Sequence, residues 1–241
     1  MKHIGKIALL VAVIGAGAAA LMLFGARLGL WEPITGFGLY RTYFTPLALI
    51  IAGVGLLALV IHLVRKEKVQ AMLGGVAALV GMALLIPMIS STINPTPRAA
   101  PIHDISTDTV NPPAFEILDD TRAGASNTLE YGGPELAEAQ AAAYPDIAAL
   151  ETDLSADDAY QRALTVAQNM GWEIVASDTD GLRFEATART SVFYFADDVV
   201  VVVTAHGLGS RVDMRGVSRV GRSDQGVNAA RIRDFQQRFR E

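Results

Sequence analysis

The chain has 241 residues, a formal net charge of −5 and no cysteine, which excludes a disulfide framework, a thiolate metal site and a cysteine nucleophile. Residues 98–180 carry 16 acidic residues against 3 arginines (net −13), whereas residues 181–241 carry 10 arginines against 7 acidic residues (net +3). Because a surface that binds nucleic acid is basic, this balance argues against a nucleic-acid partner. It favours charge pairing between the two regions.

Three uncharged apolar segments occupy the N-terminal region, at residues 7–26, 44–64 and 71–89. Each is close to the roughly 20 residues needed to cross a bilayer, and none shows a polar face. They predict a three-helix transmembrane bundle over residues 1–93. A cleaved signal peptide is the alternative for the first segment, because Lys2 and Lys6 precede it and residues 16–18 are small. The apolar run continues past those residues, which favours a retained helix.

Basic residues cluster at one side of this bundle. They are Lys2 and Lys6 before the first helix and Arg65, Lys66 and Lys68 in the turn between the second and third helices. The connection between the first two helices carries only Arg27 and Arg41. The positive-inside rule therefore places the N-terminus and that turn in the cytoplasm, so that three crossings bring the C-terminal domain to the other side. In a Gram-negative cell this predicts a multi-pass inner-membrane protein with a periplasmic C-terminal domain.

The apolar segments are rich in glycine and alanine, which allow helices to approach closely. Packing within one three-helix bundle is the favoured interpretation. The alternative is that these small residues form a face that contacts another envelope membrane protein. The lipid bilayer is an expected partner in either case. Residues 94–113 then contain five prolines and predict an extended, proline-rich linker.

Residues 114–241 show the patterns of an α+β domain. A short helix is predicted from Pro134, and a second follows the capping sequence at residues 155–158 and ends at Gly171. Strands are predicted at residues 172–177, 182–189, 199–203 and 211–216. Short connections between them indicate antiparallel hairpins. We therefore expect an antiparallel four-stranded sheet with flanking helices that cover one face.

The stretch at residues 218–232 indicates the end of a strand, a polar turn and the start of a final helix. Ser223 is suited to cap that helix, and Asp224 places a negative charge in its first turn. Asn228 lies at helical spacing with Ile232, Phe235 and Phe239, so its amide needs a buried partner. These patterns predict a cluster of Arg219, Arg222, Ser223, Asp224, Asn228 and Arg231. Its role is structural or anion-binding, and the structural role is favoured because Asp224 would repel an anion.

A second polar surface is predicted on the strands. Arg183 and Arg189 alternate with apolar residues on one strand, and Arg211 and Arg215 do so on another. The favoured interpretation is a solvated face with cross-strand ion pairs. The alternative is a docking surface for the acidic segment 104–158 or for a partner.

Six stretches of the C-terminal region together carry a specific set of motifs. They are residues 101–108, 111–115, 144–147, 171–172, 197–200 and 218–232. Over residues 101–239 the chain resembles the family named as domain of unknown function 1499. This resemblance implies membership and no defined activity.

Signals for catalysis are sparse. Ser223 lacks a G-x-S-x-G setting, and the chain has no Walker A or dinucleotide-binding motif. The acids Asp104, Asp108, Asp197 and Asp198 lack the spacing of a known cation loop, so we expect neither a metal nor a cofactor. The favoured function is a non-enzymatic binding or scaffolding module of the cell envelope. The alternative is an enzyme that acts on an envelope lipid or glycan through the Arg/Asp/Asn cluster at residues 219–231.

Overall fold

A computed structural model describes residues 3–95 and 99–241 of the chain. The chain divides into two compact units. The first, here called the helical unit, comprises Met1–Pro97 and Ser191–Tyr194. The second, the sheet unit, comprises Arg98–Thr190 and Phe195–Glu241.

The helical unit contains three long helices, α1 (Ile4–Phe24), α2 (Pro33–Val64) and α3 (Lys68–Ile93). All three are long and apolar enough to cross a membrane, which confirms the three helices predicted from hydropathy. Helix α2 begins well before its predicted apolar segment. A proline at the first helical position starts the helix there, because its missing N–H group has no partner to lose.

Glycines bring α2 and α3 together. A Cβ atom added to Gly55 would lie 2.2 Å from the backbone nitrogen of Ala78, and one added to Gly81 would lie 2.2 Å from that of Ala52. Neither position therefore has room for a side chain. By contrast, a Cβ atom at Gly53 would meet no atom within 4 Å. Gly55 of α2 and Gly81 of α3 are thus used for packing within the bundle, as the favoured interpretation expected.

In its described residues, the sheet unit contains six strands and three helices. The strands are β1 (Asp104–Ser106), β2 (Leu150–Thr152), β3 (Glu173–Asp178), β4 (Arg183–Arg189), β5 (Ala196–His206) and β6 (Gly209–Ser218), and the helices are α4 (Gly133–Ala143), α5 (Ala156–Asn169) and α6 (Val227–Arg240). The antiparallel sheet has the order β1-β6-β5-β4-β3, and β2 also pairs with β6.

The prediction of a four-stranded sheet is therefore wrong in its strand number. The two additional strands, β1 and β2, have three residues each, which is too short to show alternation in the sequence. Strand β1 also lies inside the proline-rich range 94–113 that was predicted as a linker. Its buried residues pair with β6, so this part of the range belongs to the sheet.

The predicted boundaries of α5 are confirmed by its caps. The Ser155 hydroxyl accepts a hydrogen bond from the backbone N–H of Asp158 at 3.1 Å. At the other end Gly171 has a φ of +75°, and Trp172 donates its N–H to the carbonyl of Ala167. This is the Schellman arrangement that a glycine after the last helical residue favours.

Helices α5 and α6 pack against one face of the sheet, as expected. The core between them contains large buried side chains from both layers, including Tyr160, Phe184, Met214, Ile232 and Phe235. The opposite face is covered as well. Residues 107–131, here called the cover segment, have no helix or strand and carry groups that bind the charged side chains of that face.

Candidate functional site

Helix α6 begins at Val227, later than the prediction placed it. Gln225 and Gly226 both have positive φ values, 56° and 82°, so the turn stays non-helical until Gly226. The Asp224 carboxylate accepts the N–H groups of Gly226 and Asn228, each at 2.8 Å. The expectation that Ser223 caps the helix is therefore wrong, because Asp224 satisfies the first N–H groups instead.

Asn228 connects α6 to the sheet. Its side chain is fully buried, and its amide nitrogen donates to the carbonyl of His103 at 3.2 Å and to the Ser218 hydroxyl at 3.1 Å. Its amide oxygen accepts a hydrogen bond from Arg231, which also bonds to Asp197 at 2.5 Å. The structure thus brings Asp224, Asn228 and Arg231 together, with Asp197 as the charged partner.

The other three residues predicted for this cluster lie elsewhere. Arg219 bonds to Asp198 and Thr187 on the opposite face of the sheet. The Ser223 hydroxyl donates to the carbonyl of Ala100 at 2.8 Å. Arg222 is exposed and makes no hydrogen bond or ion pair within the described part of the chain. The six predicted residues therefore do not form one site.

Burial sets the electrostatics at the start of α6. It raises the pKa of the Asp224 carboxyl above its ordinary value, although the two backbone N–H bonds to this group oppose the shift. Burial also raises the pKa of the nearby Tyr144 phenol, and the negative charge of Asp224 adds to this effect. An anion bound at the start of α6 would lie beside the negative charge of Asp224, so the local chemistry favours a structural role.

Replacement of Asn228 by alanine tests that role. The substitution removes the hydrogen bonds to the His103 carbonyl and the Ser218 hydroxyl and leaves Arg231 without one acceptor. We expect a loss of about 1–3 kcal/mol in the free energy of unfolding. The measurement is thermal unfolding of the full chain in detergent, with and without phosphate.

Arg222→Ala is the matched control for Asn228→Ala, because the exposed Arg222 lies near the same turn. It should leave the melting temperature unchanged. The structural role is contradicted if Asn228→Ala has no effect while phosphate stabilises the wild type and Arg222→Ala abolishes that gain.

Arg215 is a buried charge on the covered face with partners on several sides. It is 2% exposed and pairs with Asp104 through its Nε at 2.9 Å and its Nη2 at 2.7 Å. It also donates to the carbonyls of Pro113 and Leu129 in the cover segment. The rings of Phe115 and Tyr131 lie 5.5 and 5.2 Å from the guanidinium carbon. These contacts attach residues 113–115 and residues 129–131 of the cover segment to β6.

Two buried acids hold the middle of the cover segment. Glu185 accepts three consecutive backbone N–H groups, from residues 116–118, at 2.5 to 3.1 Å. Asp198, which is 0% exposed, accepts from Arg122 at 2.6 Å and from Arg219 at 2.8 Å. Each carboxylate thus has several donors, as a buried charge requires.

The second predicted surface is consequently not a free face. Arg183 contacts the Ala114 carbonyl and Glu116, and Arg211 pairs with Asp108 at 2.9 Å. Arg189 differs, since it is exposed and lies 4.0 Å from Glu173. Of the two interpretations, the structure agrees with a surface on which part of the acidic segment 104–158 of this chain is docked.

Sequence reasoning did not identify the structural roles of Asp197 and Asp198 or of their partner Arg122. Asp197 and Asp198 are adjacent on β5, so their side chains point to opposite faces of the sheet. Asp197 meets Arg231 on the helix face, and Asp198 meets Arg122 and Arg219 under the cover segment. In the sequence, two adjacent acids stand directly before a run of valines. This pattern indicates that both acids are buried with the strand and that each needs a buried basic partner. Nothing in the sequence distinguishes Arg122 as one of these partners.

A groove of about 600 Å³ lies at the end of the sheet unit. It is lined by the end of β2 and the following turn, by the β5–β6 hairpin, and by parts of α5 and α6. His206, the last residue of β5, lies here, with its Nε2 atom 3.6 Å from a carboxylate oxygen of Glu151. Within residues 3–95 and 99–241, no three His, Asp or Glu side chains come close enough to hold a metal ion.

This architecture defines a class of protein with three helices that are long and apolar enough to span a membrane, followed by an antiparallel sheet unit. The cover segment of the same chain lies over the polar face of that sheet. The model of a family described as protein of unknown function (DUF1499) matches residues 104–239, and the chain belongs to this family. The resemblance noted from the sequence motifs is therefore confirmed. No curated protein matches the chain.

Proposed function

We propose that this protein is a membrane-anchored, non-enzymatic binding module of the cell envelope. In this proposal α1, α2 and α3 span the inner membrane, and the sheet unit lies on its outer, periplasmic side. The observation that carries the binding role is the internal pairing of the buried charges. Asp198, Glu185 and Arg215 each bind several groups of the same chain, whereas the groove is a concave surface that is open to a ligand.

The enzymatic alternative depended on the Arg/Asp/Asn cluster at residues 219–231. A catalytic group needs access to its substrate and a proton-transfer partner in reach. Asn228 is fully buried between α6 and the sheet, and Arg219 and Arg231 are bonded to aspartates. These contacts favour a scaffold at this point of the fold. The groove supports a binding role as well, because the strands and helices that line it are held in place by the core and the sheet.

Affinity purification tests the binding role directly. The full chain, extracted in mild detergent, should retain a specific envelope protein or lipid that is identified by mass spectrometry. A tagged protein containing residues 1–93 alone is the control, because it shows which molecules co-purify with the membrane helices and not with the sheet unit. If both samples retain the same molecules, the sheet unit has no binding role of its own.

The topology gives a separate prediction. Lys2 and Lys6, which precede the first apolar segment, and the basic residues of the α2–α3 turn should hold that side in the cytoplasm. A reporter that functions only in the periplasm should therefore be active after Glu241 and inactive when inserted at the turn between Val64 and Lys68. The reverse pattern would contradict the proposed orientation, whatever the ligand.

A further inference from the structure

We propose that the groove binds a small zwitterion, a molecule that carries both a primary ammonium group and an oxyanion such as phosphate or carboxylate. This inference rests on the proposed binding function and names the ligand chemistry of its site. The groove offers cations from two helices and carboxylates from a strand and its following turn. It also has an apolar rim, so a ligand can place a different part of itself against each.

Two arginines supply the cationic side. The Nε of Arg162 donates to the carbonyl of Phe239 at 2.5 Å, and its guanidinium carbon lies 5.5 Å from the ring centre of the same residue. These contacts fix the side chain on α5, while its terminal nitrogens have no protein partner in the described part of the chain. Among the described residues, Arg240 makes a single contact, at 3.5 Å from its Nη1 to the carbonyl oxygen of Gln236. Both guanidinium groups can therefore donate to an oxyanion.

Two carboxylates supply the anionic side. Glu151 lies on β2 and Asp153 follows it, and both are exposed in the groove. Asp153 has no hydrogen bond or ion pair among the residues that the structure describes. An ammonium group has three N–H donors and suits a pair of carboxylate acceptors.

The backbone that carries these carboxylates is held tightly. A Cβ atom at Gly209 would lie 2.0 Å from the carbonyl oxygen of Thr152, so only glycine allows this approach. The Ser210 hydroxyl donates to the carbonyl of Leu154 at 3.0 Å. The acids are thus held by the sheet, which reduces the entropy that binding must overcome.

Charge balance distinguishes a zwitterion from a simple ion. Apart from His206, the charged side chains that line the groove are two arginines and two acids, whose formal charges sum to zero. A simple anion would meet two carboxylates, and a simple cation would meet two guanidinium groups. Only a ligand with both charges pairs with each set. The fully exposed Leu208 at the hairpin, with Leu154 nearby, provides apolar contact for the rest of the ligand.

The volume limits the ligand to a small molecule or a headgroup. About 600 Å³ lies within the range of small-molecule sites, roughly 300–1,000 Å³. Two sources share the required chemistry, namely an aminophospholipid headgroup and a free zwitterion such as an amino acid. The experiment distinguishes these two sources.

The test is isothermal titration of the full chain in nanodiscs of phosphatidylcholine. The probes are O-phosphoethanolamine and glycine, with ethanolamine and inorganic phosphate as half-ligands. We expect saturable binding of at least one zwitterion, and binding at least about tenfold weaker for both half-ligands, because each loses one set of charge-assisted hydrogen bonds. Tight binding of phosphate or ethanolamine alone would overturn the inference, and so would no saturation by either zwitterion at millimolar concentration.

Variants assign the binding to the groove. Asp153→Asn and Arg240→Gln should each weaken zwitterion binding by about tenfold. Arg238→Gln is the matched control, since Arg238 is an exposed arginine of the same helix that pairs with Asp234 outside the groove lining. Equal affinities for Arg238→Gln and Arg240→Gln would place the binding elsewhere and reject the proposal.

Leu208→Ser separates the two sources. A lipid ligand predicts that dihexanoyl-phosphatidylethanolamine binds more tightly than O-phosphoethanolamine and that Leu208→Ser removes this advantage. A free zwitterion predicts equal or weaker binding of the lipid and no effect of Leu208→Ser on glycine. If the groove binds no zwitterion but the sheet unit still retains a partner in affinity purification, this inference fails while the binding function stands.

Discussion

Replacement of Arg215 by methionine should lower the free energy of unfolding of the sheet unit by about 3–5 kcal/mol. Asp104 is only 4% exposed, and without Arg215 its carboxylate loses both of its charge-assisted hydrogen bonds in a buried place. The carbonyls of Pro113 and Leu129 lose a donor at the same time. The measurement is chemical denaturation of the full chain in detergent. It can follow the fluorescence of Trp172, which stacks on Phe235, in a Trp31→Phe background.

Two further variants make the Arg215 experiment specific. Arg233→Met removes an arginine that also pairs with an aspartate through two hydrogen bonds, but both partners are exposed. It should cost no more than about 1 kcal/mol. The double variant Asp104→Leu with Arg215→Met removes both buried charges and should regain part of the lost stability. If Arg215→Met and Arg233→Met cost the same, the buried pair has no special role in holding the cover segment.

Gly55→Val should destabilise the helical unit by about 1–3 kcal/mol or more. The added atoms would collide with the backbone of Ala77 and Ala78, which cannot move aside as a flexible side chain can. Helices α2 and α3 would have to separate along their contact. Thermal unfolding in detergent, followed by circular dichroism at a helix-sensitive wavelength, measures the effect.

Gly53→Val is the matched control on the same helix. It introduces the same β-branched residue and the same change in helix propensity, but its Cβ position has no neighbour within 4 Å. The difference between the two variants therefore reports packing alone. Equal losses would show that helix propensity causes the effect and that close approach of α2 and α3 does not.

Periodicity explains which parts of the fold the sequence predicts. Strands β4 and β6 are long enough for two-residue alternation to show both their existence and their faces, whereas β5 is indicated by an unbroken run of valines, which does not show its faces. The hydropathy of the three N-terminal helices needs no partner to be recognised. Strands β1 and β2 exist only because β6 offers its edge to them, and three residues carry no period. The cover segment has no period at all, so its position depends on contacts with distant charges.

The candidate site shows the same limit in its side chains. The sequence indicated that Asn228 needs a buried partner, and the structure supplies His103, Ser218 and Arg231. The surplus of acids before residue 180 and of arginines after it indicated internal pairing, which the contacts of the cover segment show. The sequence did not indicate which acid meets which arginine. Arg219 illustrates this, since it lies five residues from Asp224 in the chain but bonds to Asp198 on the other face.

The way in which Glu185 holds residues 116–118 has a consequence for how freely this part of the chain can change. The groups that it binds are main-chain N–H donors, which every amino acid except proline provides. The side chain of Ile117 points to solvent and takes no part in the attachment. At this position the cover segment can therefore exchange an outward side chain, and hence the surface it presents, without loosening the attachment to Glu185. Position 117 is therefore a place where the protein can acquire new surface chemistry at little cost to its stability.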